Sequence, residues 1–221
     1  MNKKGSQNLA VEADSCPLCS ENSQLFRIFR KKRYLTCSNC YSVFLHPDHF
    51  LTPKEEEDRY LKHNHDVENP DYQNFVLPLV ELVTKRFSLT HKGLDFGAGK
   101  GPIVSKLLSD KDFSIKQFDL YFWNDHHVLE ETYDYIVCSE VIEHFRNPLE
   151  EFTKLRKLLK EGGALYCMTS IFDESIDFEK WYYKDDPTHV FFYHTKALEW
   201  IRDNFQYKEV QIDKNLISFI T

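Results

Sequence analysis

The placement of glycine constrains the fold of this chain more than any other feature. Only seven glycines occur, and six of them stand in two places. Four lie within nine residues, at Gly93, Gly97, Gly99 and Gly101, and the helical pattern Ile103–Leu108 follows directly. This order predicts a short strand, a glycine turn that lets the backbone approach a ligand closely, and a helix whose first N–H groups face that ligand. The spacing differs from the dinucleotide pattern Gly-x-Gly-x-x-Gly, which disfavours a nicotinamide-dependent enzyme.

The rest of the C-terminal part alternates between strand and helix patterns. A second strand over 114–118 ends at Asp119, and a third apolar run over 133–138 precedes the helix pattern of 148–160, where Glu161 and the glycine pair Gly162 and Gly163 are expected to cap the helix. Strand patterns return at 164–170, 208–212 and 216–220, and a helix is expected over 195–205. An earlier helix is expected near 72–87, with Phe75, Leu79, Leu82, Val83 and Phe87 on its apolar face. The pattern indicates an α/β domain.

This ordered set of motifs resembles the class I S-adenosylmethionine-dependent methyltransferases over residues 70–221. The resemblance implies a Rossmann-like α/β sheet with a terminal antiparallel hairpin, and S-adenosylmethionine as cofactor. In that family the acid and the glycines of the first motif surround the methionine part of the cofactor, and the acid after the second strand accepts hydrogen bonds from the ribose. The residues that match these positions, and are therefore expected to bind the cofactor, are Asp95, Gly97, Gly99, Gly101, Asp119 and Ser139.

The region after the second strand is abbreviated. Only 14 residues separate Asp119 from Asp134, where the family normally fits a helix, a strand and another helix. Val128-Leu129 is interpreted as the remnant of that strand. Phe122 and Trp123 have two open interpretations: they stack on the adenine ring, or they fill the core that the missing helix exposes.

Candidate catalytic residues follow the strand over 133–138, because sheets of this kind bind ligands at the carboxyl ends of their strands. They are Glu140, Glu143 and His144, which a helix would place on roughly one side, and His189 in the later stretch 186–194. Glu-x-x-Glu-His resembles ubiquinone-pathway O-methyltransferases and small-RNA 2′-O-methyltransferases, and the latter hold a divalent metal with such residues. A second divalent cation is therefore one hypothesis. The other is a metal-free site in which Glu140 contacts the cofactor and His144 packs locally.

Four cysteines near the N-terminus predict a zinc ribbon. Cys16 and Cys19 form one C-x2-C pair, and Cys37 and Cys40 form another after 17 intervening residues. Four thiolates complete the tetrahedral shell of structural zinc, whose binding is worth roughly 10–16 kcal/mol in such modules. Strands are expected over 25–29 and 34–36. The predicted domains are a ribbon over 1–50 with a disordered N-terminus, a connecting segment over 51–69 with a helix near 54–62, and the methyltransferase domain over 70–221.

Charge is distributed unevenly along the chain. Residues 1–50 hold seven Lys and Arg against four Asp and Glu, whereas residues 51–221 hold 21 against 31. An acidic body disfavours indiscriminate nucleic-acid binding. The basic run from Arg27 to Arg33 either guides an anionic partner or is a solvated hairpin face. A cytoplasmic location is expected, without a secretory signal or membrane span.

The expected acceptor is an oxygen or nitrogen nucleophile of an unidentified small molecule or RNA. The alternative from another functional class is a non-catalytic protein that keeps the cofactor fold and binds a partner through its ribbon. The abbreviated segment after Asp119 is the feature that favours this alternative.

Overall fold

The computed structural model describes residues 15–62 and 66–221, so the disorder expected before residue 15 lies outside the described residues. These described residues form ten strands and five α-helices. In chain order they are β1 (Ser23–Phe29), β2 (Lys32–Cys37), β3 (Val43–Leu45), α1 (Pro53–Leu61), α2 (Pro70–Arg86), β4 (Lys92–Phe96), α3 (Ile103–Ser109), β5 (Ser114–Phe118), β6 (Tyr133–Ser139), α4 (Pro148–Leu158), β7 (Leu159–Met168), β8 (Phe191–Phe192), α5 (Thr195–Asn204), β9 (Glu209–Asp213) and β10 (Leu216–Ile220). Within 15–62 and 66–221, no helix has both the length and the apolar content needed to cross a bilayer.

A six-stranded sheet carries the C-terminal part of the chain. Its order is β5-β4-β6-β7-β10-β9. The pairs β5–β4, β4–β6 and β6–β7 are parallel, and β10 runs antiparallel to both β7 and β9. Apolar clusters cover both faces, one built with α2 and α3 and the other with α4 and α5. The predicted parallel sheet with a terminal antiparallel hairpin is confirmed.

Helix α2 buries a stripe that shares Leu79 and Val83 with the predicted apolar face, and Phe87 just after the helix is also buried as predicted. Val76, Leu79, Val80 and Val83 are fully buried, whereas Phe75 is 40% exposed. The spacing 76, 79, 80, 83 follows one face of a 3.6-residue helix more closely than the predicted set. The stripe therefore packs against α3 and the sheet, and Phe75 lies on the cleft side of the helix.

The expected glycine cap of α4 is wrong. The helix ends at Leu158 and β7 begins at the next residue, so the glycine pair lies inside a strand. A Cβ atom on Gly163 would stand 2.8 Å from the carbonyl oxygen of Asp134. Gly163 thus permits close approach of β7 to β6, where the pairing of these two strands is irregular.

The abbreviated region contains a turn instead of a remnant strand. Residues 126–130 form a 3-10 helix, so the interpretation of Val128-Leu129 as strand is wrong. Val128 is buried, and its carbonyl accepts a hydrogen bond from the Tyr133 hydroxyl at 2.7 Å. Among the described residues, β5 is therefore the edge of the sheet on this side.

The ribbon forms a second sheet that draws one strand from the far end of the chain. Its order is β1-β2-β3-β8, and all its pairings are antiparallel. The strands β1 and β2 confirm the two predicted ribbon strands. Because β8 comes from the C-terminal half of the chain, the ribbon sheet is continuous with that half. The domain boundaries at residues 50 and 70 stay a prediction.

Candidate functional site

A deep cleft opens at the carboxyl ends of β4, β5 and β6. Its volume is about 1490 Å³. The candidate residues that line it, from both the cofactor set and the catalytic set, are Asp95, Gly97, Gly99, Gly101, Asp119, Ser139, Glu140, His144 and His189. The structure thus brings all of the predicted cofactor residues and most of the predicted catalytic residues to one site.

The glycine turn after β4 is shaped by positive backbone angles. Gly97 and Gly99 have φ values of 77° and 64°. The Gly97 N–H donates to the carbonyl of Phe118 at 2.8 Å, which ties the turn to the end of β5. A Cβ atom on Gly97 would stand 2.6 Å from both methyl groups of Val141, while one on Gly99 would meet nothing within 4 Å.

These two glycines give a matched pair of variants. Gly97→Ala and Gly99→Ala both place a side chain in the left-handed region, which costs about 1–2 kcal/mol. Only Gly97→Ala also forces a methyl group into Val141, and overpacking adds about 1–3 kcal/mol. We expect Gly97→Ala to lower the melting temperature more, by about 2–4 °C for each additional kcal/mol. Equal melting temperatures in a thermal denaturation experiment would contradict the close contact between Gly97 and Val141.

Two acids flank the glycine turn and hold different partners. Asp95 is buried, and its Oδ2 accepts hydrogen bonds from the Ser105 N–H at 3.2 Å and the Ser105 hydroxyl at 2.7 Å. Burial, together with the nearby Asp119, raises the pKa of Asp95 to about 6. Asp119 is half-buried and accepts a hydrogen bond from the Gly99 N–H at 3.0 Å. Asp95 thus joins β4 to α3, and Asp119 joins β5 to the glycine turn.

The segment after Asp119 folds back on that carboxylate. Asp119 Oδ1 accepts hydrogen bonds from the backbone N–H groups of Tyr121 at 2.8 Å and Phe122 at 3.1 Å. Trp123 is 41% exposed, and its indole N–H donates to the carbonyl of Gly99 at 2.8 Å. The core-filling interpretation is therefore wrong for Trp123. Its partly exposed side chain instead holds the glycine turn by this hydrogen bond. Phe122 lines the cleft, where stacking on adenine stays a prediction.

The catalytic candidates after β6 do not share one helical face. Only a single 3-10 turn forms, over Ile142–His144. Glu140 lies in the left-handed region with φ 53° and lines the cleft together with His144. Glu143 instead has no exposed area and lies beneath the cleft floor. The helical arrangement expected for these three residues is wrong, because a one-turn helix cannot align positions 140, 143 and 144.

A hydroxyl network holds the two glutamates. Glu143 accepts hydrogen bonds from the hydroxyls of Thr169 at 3.0 Å and Tyr183 at 2.5 Å, and the Tyr183 hydroxyl also donates to Glu140 at 3.2 Å as an alternative partner. Burial and their mutual repulsion raise the pKa of Glu140, and burial raises the pKa of Glu143. The role of Tyr183 was not predicted, because no local sequence pattern links this tyrosine to a carboxylate some 40 residues earlier.

The two histidines are oriented by backbone carbonyls. His144 Nδ1 lies 3.0 Å from the carbonyl of Thr188, and His189 Nδ1 lies 2.6 Å from the carbonyl of Tyr183. Because a carbonyl only accepts, each Nδ1 carries a proton and each Nε2 of the neutral ring carries the lone pair. Burial lowers the pKa of His144, which favours its neutral form. The ring centroids are 4.8 Å apart.

Helix α1 forms one wall of the cleft, and polar contacts join it to the residues on the other side. Glu56 accepts hydrogen bonds from Arg146 at 2.9 Å and from the Tyr121 hydroxyl at 3.0 Å. Arg59 pairs with Asp186 at 2.6 Å. No residue of α1 is buried. The connecting helix predicted near 54–62 therefore lines the acceptor side of the cleft, a role that its charged sequence did not indicate.

The acceptor side also offers a set of metal ligands. Ligand atoms of Glu143, His144 and His189 all lie within 4.8 Å of one another, and Glu140 stands outside this group. One carboxylate and two imidazole Nε2 atoms are chemically suited to a divalent transition metal. The residues present fit such an ion, although both oxygens of the carboxylate already accept hydrogen bonds.

The four ribbon cysteines converge as predicted. The Sγ atoms of Cys16 and Cys40 are 3.7 Å apart, those of Cys19 and Cys37 are 3.3 Å apart, and all four lie within 4.8 Å of one another. Zinc–sulfur bonds of about 2.3 Å in a tetrahedron require edges near 3.8 Å, which these separations approach. Backbone N–H groups of Asn39 and Cys40 donate to Cys37 Sγ, each at 3.4 Å. The cluster fits a structural zinc ion.

The basic turn of the ribbon is matched by acids of the same chain. Arg27 pairs with Glu179 at 2.9 Å, Arg30 with Asp185 at 3.6 Å and Arg33 with Asp48 at 2.7 Å. These pairs use the arginine charges within the protein, which favours the interpretation as a solvated hairpin face.

Known proteins share this architecture. The fold is similar to that of a SAM-dependent methyltransferase from Archaeoglobus fulgidus, with a TM-score of 0.53 and 14% identity, covering 67% of this chain and 94% of that one. It is also similar to an O-methyltransferase family protein from Burkholderia thailandensis, with a TM-score of 0.51 and 14% identity, covering 75% of this chain and 61% of that one. A third neighbour is Haemonchus contortus phosphoethanolamine N-methyltransferase 2, in complex with phosphomonomethylethanolamine and S-adenosylhomocysteine. Its TM-score is 0.50 at 14% identity, covering 73% of this chain and 44% of that one.

These neighbours establish the fold, and a family model establishes membership. The chain spans less than two thirds of the Burkholderia and Haemonchus proteins. No curated protein matches its sequence at a significant level. A family model described as a methyltransferase domain matches residues 54–212. Since that match covers well over half of the chain, the protein belongs to the methyltransferase-domain family and has the fold of the class I S-adenosylmethionine-dependent methyltransferases.

Proposed function

We propose that the protein transfers the methyl group of S-adenosylmethionine to an oxygen or nitrogen nucleophile of a small-molecule acceptor. One observation carries this proposal: a single cleft joins the glycine turn and its two acids to a pair of histidines whose Nε2 atoms carry lone pairs. The first group suits an adenosine and methionine ligand, and the second suits the removal of a proton. We also propose the cytoplasmic location that the sequence led us to expect.

The cofactor half of the cleft is proposed to consist of Asp95, Asp119, Ser139 and the turn glycines. The cofactor would supply an electrophilic methyl group on a positively charged sulfur. Gly99 leaves open space where a side chain would stand, so the backbone is accessible to a ligand. The Asp119 carboxylate already accepts backbone hydrogen bonds that fix its orientation, and carboxylates with such support make strong hydrogen bonds to hydroxyl groups.

The acceptor half is proposed to consist of His144 and His189, supported by Glu140 and Glu143. When a neutral O–H or N–H nucleophile takes the methyl group, its new bond to carbon would form while the bond from that carbon to the cofactor's sulfur breaks. S-adenosylhomocysteine would leave, and the nucleophile would lose its proton. A neutral imidazole Nε2 is the group that takes this proton, and the buried Glu143, 4.0 Å from His189 Nε2, stabilises the imidazolium that results. Alignment of the acceptor contributes the rest of the acceleration.

A divalent cation at Glu143, His144 and His189 is the alternative form of the acceptor half. The ligand set described above fits it. Such an ion would lower the pKa of a bound hydroxyl group and hold it in place. The two forms differ in their response to a chelator.

A small acceptor is favoured over RNA by the charge around the cleft. Glu56, Asp185 and Asp186 line its acceptor side. The arginines there are engaged, since Arg59 pairs with Asp186 and Arg146 pairs with Glu56. Phosphate backbones bind where lysine and arginine charges are available to neutralise them, so this surface suits a neutral or cationic acceptor.

Cofactor binding is the first test. We expect Asp119→Ala to weaken S-adenosylmethionine binding at least tenfold, because hydrogen bonds to a charged group are worth about 1.5–3 kcal/mol. Isothermal titration calorimetry of S-adenosylmethionine and S-adenosylhomocysteine measures the loss. The control is Asp125→Ala, which removes a carboxylate that caps the neighbouring turn by accepting from the His127 N–H.

The outcome also separates the two functional classes. If Asp119→Ala, folded at the temperature of the assay, binds the cofactor as well as the wild type, the ribose assignment is wrong. If the wild-type protein binds neither ligand, the non-catalytic alternative replaces the methyltransferase proposal. Where binding is seen, a screen of small amines, phenols and alcohols for formation of S-adenosylhomocysteine then identifies the acceptor class.

A further inference from the structure

Val190 links the ribbon to the acceptor side of the cleft by two backbone hydrogen bonds. Its N–H donates to the carbonyl of Glu143 at 2.9 Å, and its carbonyl accepts from the N–H of Leu45 at 2.8 Å. Leu45 is the last residue of β3, and β3 begins shortly after Cys40, a predicted zinc ligand. A short path of covalent and hydrogen bonds therefore runs from the cysteine cluster through Leu45 and Val190 to Glu143, which lies next to the two histidines.

Side chains strengthen the same junction. Phe44 of β3 stands opposite Phe191 of β8, and their rings stack with centroids 5.9 Å apart and planes 12° apart. Both rings are buried. Strand β8 is only two residues long, and its neighbour in the sheet order is β3. Among the described strands, β3 is thus the one that pairs with β8.

The segment over 186–193 in turn supports the turn after β6. His144 Nδ1 donates to the carbonyl of Thr188 at 3.0 Å, and the Tyr193 hydroxyl donates to the carbonyl of Ile142 at 3.0 Å. His189 stands between these anchoring points. A shift of β8 would therefore move both histidines and the Glu143 backbone together.

The cofactor half is anchored elsewhere. Its glycine turn is held by the carbonyl of Phe118, the carboxylate of Asp119 and the indole of Trp123. These groups belong to β5 and the segment that follows it. The hydrogen bonds that hold the two halves of the cleft thus come from different segments of the chain.

We propose that the zinc ribbon is a positioning element for the acceptor half of the cleft: zinc at the four cysteines keeps β3 ordered, and β3 holds Val190, and through it His189 and Glu143, in place. A ribbon of some 30 residues cannot bury enough surface to order itself, so loss of the metal releases β3. The coupling rests on the contacts described above, while its catalytic meaning rests on the proposed function.

Amide hydrogen exchange of the full-length protein, read by mass spectrometry, tests the coupling without an acceptor. In Cys37→Ser, we expect peptides covering 140–145 and 186–193 to exchange roughly tenfold faster or more than in the wild type, because their hydrogen bonds lose support. Peptides covering 92–97 and 114–118 should exchange as in the wild type. Affinity for S-adenosylhomocysteine, measured by calorimetry, should be unchanged.

A second variant keeps the zinc and weakens only the junction. Phe44→Leu removes the ring stacked on Phe191, and we expect faster exchange in the same two peptides at full zinc content. Phe113→Leu, which removes a partly buried ring that packs on the other face of the six-stranded sheet, is the matched control and should leave 186–193 unchanged. Spectroscopically, the His189 Nδ1–H resonance should broaden in Phe44→Leu and should stay unchanged in Phe113→Leu.

Two results would overturn the proposal. Unchanged exchange at 186–193 in Cys37→Ser shows that the ribbon does not support this segment. Equally faster exchange in 92–97 shows that the ribbon stabilises the whole fold and does not position one half of the cleft. Failure of the wild type to bind S-adenosylhomocysteine would instead contradict the proposed function, and the exchange comparison would still decide the coupling.

Discussion

Replacement of His189 or His144 by alanine should lower the rate of methyl transfer by about 10²–10⁴-fold, the usual loss when a general base is removed. Each ring presents an unprotonated Nε2 because a backbone carbonyl fixes the proton on Nδ1. The measurement is the rate of S-adenosylhomocysteine formation with the acceptor found by screening. Affinity for the cofactor should change little, since both histidines lie on the acceptor side.

The matched control for these variants is His127→Ala. His127 stands on the 3-10 turn within the abbreviated segment, and its side chain is 87% exposed. This variant should react at the wild-type rate. If both site variants also keep the wild-type rate with and without a chelator, the proposed roles of the histidines are wrong, and the chemistry must be sought among residues 181–193.

A chelator decides between the two forms of the acceptor half. With a catalytic cation at Glu143, His144 and His189, EDTA should abolish turnover while cofactor affinity stays nearly intact, and Mg²⁺ or Mn²⁺ should restore it. Without such a cation, EDTA should leave the initial rate unchanged while His144→Ala and His189→Ala remain impaired. Zinc content is measured in parallel, because EDTA that also removes the ribbon zinc would lower turnover whether or not a catalytic cation is present.

The pH profile of the metal-free form follows from the burial of His144. Burial lowers the pKa of this imidazole, so its neutral form persists below the ordinary histidine value of about 6.5. A base acts only when unprotonated, and the part of the acid limb that His144 sets should therefore lie below that ordinary value. His144→Ala should remove that part of the profile.

Loss of one ribbon cysteine should have the largest effect on stability. We expect the wild-type chain to carry one zinc ion and Cys37→Ser to carry almost none, since three thiolates leave the tetrahedral shell incomplete. Zinc binding supplies roughly 10–16 kcal/mol in comparable modules, so the ribbon of the variant should unfold at ordinary temperatures. Mass-spectrometric metal analysis and circular dichroism measure the two effects.

The control is Cys167→Ser, which removes a thiol from the buried part of β7. Its zinc content per folded chain should equal that of the wild type. Cobalt substitution adds a direct readout, because thiolate-to-cobalt charge-transfer absorption appears only when cysteines bind the ion. Equal zinc in the wild type and Cys37→Ser would exclude Cys37 from the metal site.

Sequence patterns were sufficient to predict the features that depend on short spacing. The glycines and the acid of 93–101 define a strand, turn and helix because backbone angles and helix termini are local properties. Cys16, Cys19, Cys37 and Cys40 meet because each C-x2-C pair brings two thiols to one turn. The sheet with its terminal hairpin could be predicted for the same reason, since strand and helix periodicities are read within each segment.

The tertiary structure alone decided how distant segments combine. Phe191 and Phe192 add an edge strand to the sheet of a ribbon whose other strands end near residue 45. Glu143 lies buried under Tyr183 instead of facing the cleft. Such pairings depend on which surfaces meet when the chain packs, and a two-residue strand or a lone tyrosine carries no periodic signal. The cofactor end was therefore predictable, whereas the support of the acceptor end emerged only from the packing of the ribbon against the sheet.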